Sequence, residues 1–230
     1  MQNNLVAGSG LFVNLPKLYT MDFVAIDFET ANELPTSACE LGIAVVRNYH
    51  IVATESILIR PPDLRFNPYN SMLHGITANH VIDQPDFKEL WPRLLPYFEN
   101  QLVIAHNAAF DLHVLRHLLV HYAIPFNEIS FTCSIKVASK VWKEQHKYGL
   151  KSLSRILGIE LDHHRAVSDA KACAQIASMA FRENQVSIVE EITTKLNIFP
   201  GTISAEKLVS TRHKPVLVKK GKKYYYREMQ

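Results

Sequence analysis

Asp27 and Glu29 close the apolar run Phe23-Val24-Ala25-Ile26 with a single residue between them, a spacing that could do chemistry. Side chains alternate across a strand, so the two acids share one face while Phe28 takes the other. Like charges that close repel and resist desolvation, unless a cation sits between them or one keeps its proton. The plain alternative is a strand ending in a solvated turn, and this stretch alone leaves both open. Two more acids stand at element edges: Asp111, just past the apolar segment 102–106, and Asp169, in the first turn of a late helix. Four such carboxylates can hold two Mg²⁺ or Mn²⁺ ions at the ~3.5–4 Å separation used in phosphoryl chemistry. His164 precedes Asp169 on a loop, and an imidazole of pKa about 6.5 suits taking a proton from an attacking water.

These side chains need elements to position them. The leader, residues 1–20, lacks periodicity and reads as a disordered extension or an alternative start. After the acidic strand, 41–46 and 51–59 are β-rich runs separated by Arg47-Asn48-Tyr49-His50, which predicts a hairpin and three antiparallel strands. Arg60-Pro61-Pro62 ends the third, because a proline pair cannot continue a ladder. Residues 63–82 read as irregular loop with one short helix at 78–82. Asp86-Phe87-Lys88-Glu89 has capping-box spacing and opens a helix to about residue 99, although Pro92 and Pro96 count against a straight one. The rhythm then becomes strand followed by helix: a strand at 102–106, Asn107 capping a helix to about 122, a strand at 129–133, and helices at 134–143, 150–157 and 165–182. That alternation marks parallel strands joined by crossovers. Segment 188–199 has helical apolar spacing and is expected to pack on the main domain or to dock a partner.

With 230 residues and 47% hydrophobic content, the chain can build one domain with a sizeable core. Its three dispersed cysteines fit a reducing compartment without disulfides and argue against a zinc site. No run approaches the roughly 20 apolar residues that span a bilayer, so the chain reads as soluble, cytoplasmic and without a membrane partner. Residues 201–230 hold eight Lys/Arg against two Glu, a local +6, while residues 1–200 carry −3. This basic tail is either a solvated terminus or a contact for nucleic-acid backbone. Within it, residues 219–227 either bind strand backbone and bases or form a hairpin turning at Gly221. His113, His117 and His121 recur every four residues and read as a polar stripe on one helix face, not a metal site.

Three ordered segments also carry a family resemblance. Asp27-Phe28-Glu29-Thr30, His106-Asn107-Ala108-Ala109-Phe110-Asp111 and His164-Arg165-Ala166-Val167-Ser168-Asp169-Ala170 resemble the exonuclease motifs of the DEDDh, or DnaQ-like, family. This group includes the proofreading epsilon subunit of bacterial DNA polymerase III. The likeness runs over about 22–182 and takes in Leu73-His74-Gly75-Ile76-Thr77 and Tyr148-Gly149-Leu150-Lys151-Ser152-Leu153. It implies an α/β, ribonuclease H-like domain at 21–185, with a mixed five-stranded sheet (three antiparallel, then two parallel strands) flanked by helices, followed by a basic extension at 186–230. It also implies that Asp27, Glu29, Asp111 and Asp169 bind two Mg²⁺ or Mn²⁺ ions and that His164 is the general base. The sister DEDDy group places a tyrosine where Arg165 stands, and His163, the rival base, lies one residue too far from Asp169. Thr30 and Ala31 would sit beside the terminal sugar. His74 would lie near the terminal nucleotide or cap a loop, and Phe110 would stack on a base or belong to the core, the core being preferred.

The activity so implied is 3′–5′ hydrolysis of single-stranded ends to nucleoside 5′-monophosphates, with DNA slightly favoured. An RNA-trimming or oligoribonucleotide exonuclease is the alternative within the family. A nucleic-acid-binding accessory protein of a DNA polymerase or a replication or repair complex is the alternative outside catalysis.

Overall fold

The computed structural model describes residues 21–213, 216–220 and 223–227; the expected 1–20 extension lies outside the described residues. Strands β1 (Phe23–Thr30), β2 (Ala38–Arg47) and β3 (His50–Leu58) form the antiparallel meander that the sequence predicts. Asn48 and Tyr49 turn β2 into β3 with φ of 52° and 64°. Two consecutive left-handed residues match the right-handed twist of the flanking strands. Tyr49 is held there by burial and by its hydroxyl, which donates to the Val186 carbonyl at 2.7 Å.

β4 (Val103–Ala105) pairs parallel with β1, and β5 (Ile129–Cys133) pairs parallel with β4. The expected five-strand count is too low. β6 (Ile198–Phe199) is followed by β7 (Gly201–Ile203) and β8 (Leu208–Val209), and the last two extend the sheet to seven strands in the order β3-β2-β1-β4-β5-β7-β8. β7 runs antiparallel on the free edge of β5. Strands of two or three residues carry too little alternation to register in a sequence. β6 forms a separate ribbon with β9 (Arg212–His213), and β10 (Val216–Lys220) pairs antiparallel with β11 (Lys223–Arg227). The backbone of the basic 219–227 segment is thus a hairpin, whose expected turn residue Gly221 lies outside the described residues.

Eight α-helices cover the sheet among the described residues. α1 (Pro68–His74) falls in the stretch read as loop. Its signals are terse: the Asn67 side chain accepts from the Tyr69 amide at 2.9 Å, Pro68 opens the helix and Gly75 closes it at φ 78°. α2 (Ala78–Val81) and α3 (Phe87–Leu94) follow. The Asp86–Glu89 capping box forms in both directions, at 2.9 and 2.8 Å, but α3 tightens into a 3₁₀ turn at Leu95–Tyr97 and stops short of residue 99. Asn107 does not cap α4 (Ala109–His121). It adopts φ 65° one residue outside, and Ala108 occupies the cap position without a side-chain bond. α5 (Ser134–Val141), α6 (Leu150–Leu157), α7 (Ala166–Glu183) and α8 (Val189–Leu196) complete the set, and none is long and apolar enough to cross a membrane.

The alternation of β1 divides the core. Val24, Ile26 and Phe28 pack with α3 and α4 on one face, while Phe23 and Ala25 pack with α7 on the other. Asp27 and Glu29 continue the second series, which delivers both acids to the α7 side. Ile192 and Leu196 of α8 join that same cluster, so this helix packs on the main body. Cys39, Cys133 and Cys173 are buried and unpaired.

Candidate active site

β4 pairs with β1 only as far as Ile26–Ala105, leaving the Phe28 amide beyond the end of the parallel ladder. Asp111, in the first turn of α4, accepts from that amide at 2.9 Å through Oδ1. α7 brings the third element. Gly42 lies directly across from Asp27 on β2, and a Cβ there would stand 2.1 Å from the Ala166 backbone. Only glycine lets the first turn of α7 close on the strand pair, and that turn carries Asp169. Oxygens of Asp27, Glu29 and Asp169 all lie within 4.8 Å of one another. The structure therefore gathers the sequence-expected acids at the carboxyl end of β1.

Their electrostatics follow from the crowding. Burial, reinforced by the charges of Asp111, Asp169 and Glu29, pushes Asp27 well above the usual carboxylate range. Burial and the neighbouring Asp169 charge raise Glu29 to about 8. Asp111 is raised to about 7 by burial, against the opposing pull of the Phe28 amide. Asp169 is raised by burial, with His163 and the His164 amide acting the other way. Such a cluster takes up either protons or a cation. Oδ1 of Asp169 is buried without a hydrogen-bond partner, and the donor set is all oxygen. The residues present fit a hard divalent cation of the Mg²⁺ or Mn²⁺ type.

The two histidines separate in role. His163 places Nδ1 2.9 Å from Asp169 Oδ2, and the His164 amide donates to the same oxygen at 3.1 Å. His164 takes φ 67°, which turns its ring onto that of His163 at 3.9 Å, and its ring nitrogens make no hydrogen bond among the described residues. Burial and the neighbouring His163 hold its pKa below 6.5, with Asp169 opposing.

The residues expected to meet substrate fare unequally. Thr30 is mostly buried, and its carbonyl accepts from Asn70 Nδ2 at 2.8 Å and from His74 Nε2 at 3.3 Å. The other ring nitrogen of His74 accepts from the Ile76 amide at 3.0 Å. Both nitrogens are thus engaged within the protein, the loop-capping arrangement. Ala31 is fully buried in a cluster with Cys39, Ile76 and Val81. Phe110 corrects the preferred core assignment, since its ring is 45% exposed one residue before Asp111. His113 and His117 lie tilted against each other on α4, ring centres 4.0 Å apart.

Several residues escaped the sequence reading. Gly42 is one; Asn70 is another, and the Asn67-Pro68 helix start was the available signal for it. Glu40 pairs across from Glu29 and accepts from the Ser56 hydroxyl at 2.6 Å. Arg165 Nη1 donates to the His74 carbonyl at 2.8 Å, tying the histidine loop to α1.

A mixed sheet with acids converging at the end of β1, inside the sheet between β2 and β4, defines a ribonuclease H-like nuclease fold. The family model described as Exonuclease (RNase_T) matches residues 24–177, and the chain belongs to this DnaQ-like exonuclease family. DNA polymerase III PolC-type of Clostridium perfringens is 29% identical over 194 residues, covering 81% of this chain and 13% of the relative. The 3′-5′ exonuclease DinG of Staphylococcus saprophyticus is 26% identical over 164 residues, 70% of this chain and 18% of the relative. The chain thus spans less than a fifth of either. Among solved structures, Exonuclease X in complex with 5′ overhanging duplex DNA superposes with a TM-score of 0.58 at 26% identity, over 70% of this chain and 92% of that one.

Proposed function

We propose that the protein is a metal-dependent 3′–5′ exonuclease that releases nucleoside 5′-monophosphates from single-stranded ends, with DNA preferred to RNA. One observation carries the reading: Asp27, Glu29 and Asp169 bring oxygens within 4.8 Å of one another, Asp111 is bonded to the Phe28 amide between the two strand acids, and Asp169 Oδ1 lacks a partner, an arrangement that a cation would complete. The preference for DNA is supported by the PolC-type relative and by the DNA-bound Exonuclease X. Two ions held by Asp27, Glu29, Asp111 and Asp169 would lower the pKa of the attacking water and stabilise charge on the phosphoryl oxygens.

The chain supplies the rest. His164 takes the water proton; its ring carries no competing hydrogen bond and can pass that proton to solvent. The water oxygen bonds to phosphorus as the 3′-oxygen of the penultimate nucleotide leaves. Asp111 is fixed by the Phe28 amide and Asp169 by His163 with the His164 amide, so neither must reorganise during the reaction. Phe110, exposed beside Asp111, offers a face on which a terminal base can stack. Association with a polymerase or repair complex rests on the PolC-type similarity.

The test is a matched set of 3′-recessed, blunt and single-stranded DNA and RNA oligomers in one magnesium assay. Single-nucleotide ladders, fastest on single-stranded DNA and abolished by chelator, support the reading. Binding without cleavage, dependent on the basic tail, would instead favour an accessory protein.

A further inference from the structure

Beside the acids, a cavity of about 660 Å³ opens along α6 and shares His163 with the catalytic loop. Lys147, Lys151, Ser152, Ser154, Arg155, Ile159 and Leu161 line the rest of it. Three features set it apart from an ordinary solvated surface. First, Lys147, Lys151 and Arg155 are exposed, and none has an ion-pair partner among the described residues. Second, Lys151 and Arg155 stand one helical turn apart, about 6 Å along the axis, so their charges form a row rather than a point. Third, His163 lines the cavity, so it opens next to the histidine that holds Asp169.

We propose that this cavity is a second nucleic-acid site, which holds the phosphodiester backbone of the strand being trimmed, upstream of the scissile bond. The inference rests on the exonuclease reading and extends it to how the substrate is held. Cations without carboxylate partners suit a polyanion, and their linear arrangement suits a chain of phosphates better than a single one. Ile159 and Leu161 offer apolar surface at the cavity to the faces of sugars and bases. His163 joins the two sites: one side of it lines the cavity while Nδ1 meets Asp169. A strand in this cavity is therefore led directly to the acids.

The experiment compares the full chain with its K147Q/K151Q/R155Q variant on three substrates: thymidine 5′-monophosphate p-nitrophenyl ester, a dinucleotide and a single-stranded 12-mer. None of the three substituted residues belongs to the acid cluster or the histidine loop. Hydrolysis of the ester by both proteins, with KM for the 12-mer raised about tenfold or more in the variant and little changed for the dinucleotide, supports the site. The salt dependence of 12-mer binding should flatten in parallel, by roughly 0.7 in log–log slope for each phosphate that the variant no longer neutralises. Equal KM for the 12-mer in both proteins overturns the inference, as does an equal loss on all three substrates. Failure of the unsubstituted chain on every substrate would instead overturn the exonuclease reading beneath it.

Discussion

His163 and His164 show how adjacent residues of one type are assigned different work by backbone geometry. A left-handed φ at His164 turns its amide toward Asp169 and leaves its ring unbonded, while His163 is spent on holding Asp169. Asparagine tolerates that backbone region and cannot serve as a base at neutral pH. His164→Asn should therefore keep the melting temperature of the parent while kcat falls by about 10²–10⁴. Because the pKa of His164 lies below 6.5, log kcat should stay level through neutrality and drop with unit slope only on the acid side of that value. A midpoint above 7 would contradict its role as the base.

Glu29 yields a stability prediction at the same scale. Its pKa rises from 4.5 to about 8 in the folded, metal-free chain, so folding favours the protonated form. That contribution is complete below pH 4.5 and is lost as pH climbs through about 8. The chelated protein should thus melt at progressively lower temperature between pH 5 and 8, and added Mg²⁺ should raise the melting temperature more at pH 8 than at pH 5. Glu29→Gln should flatten the pH dependence of the chelated protein. The acids were legible in the sequence because strand alternation and motif order both point to them. Ala31 and Phe110 were not, since exposure at a strand end or in a helix's first turn depends on what packs there from distant segments.

Among elements, the contact between β2 and the start of α7 decides whether Asp169 reaches the strand acids. Gly42→Ala would press a methyl into the Ala166 backbone, at a cost of at least 1–3 kcal/mol for such overpacking. Differential scanning and kcat on the same sample should show activity falling further than the folded fraction, since the displaced element carries Asp169. Unchanged activity would mean that α7 finds another seat. Elements with strong local signals were readable: the Asn48-Tyr49 hairpin, the Asp86–Glu89 capping box, and α6 at 150–157. α1, β7 and β8 were not, because seven, three and two residues respectively are too few for periodicity to rise above chance.

For the whole molecule, the stretch after α8 completes the sheet as well as extending the chain. Ile198 and Ile203 are fully buried in separate core clusters, and the Arg116 guanidinium donates to the Ser204 carbonyl at 2.9 Å. Truncation after residue 197 should expose the β5 edge and both apolar clusters, lowering the melting temperature by several degrees and promoting aggregation. The sequence showed the charge of this region and offered the 219–227 hairpin, but not the pairing of β7 with β5 or of β6 with β9, because those strands are fixed by partners far away in the chain. The central claim, that converging carboxylates make this fold a nuclease, is tested most directly with 5′-end-labelled single-stranded DNA in magnesium. The parent chain should produce a ladder of single-nucleotide steps, and Asp27→Ala and Asp169→Ala, folded by circular dichroism, should leave the label at full length. Ladders of undiminished rate from both variants would contradict it.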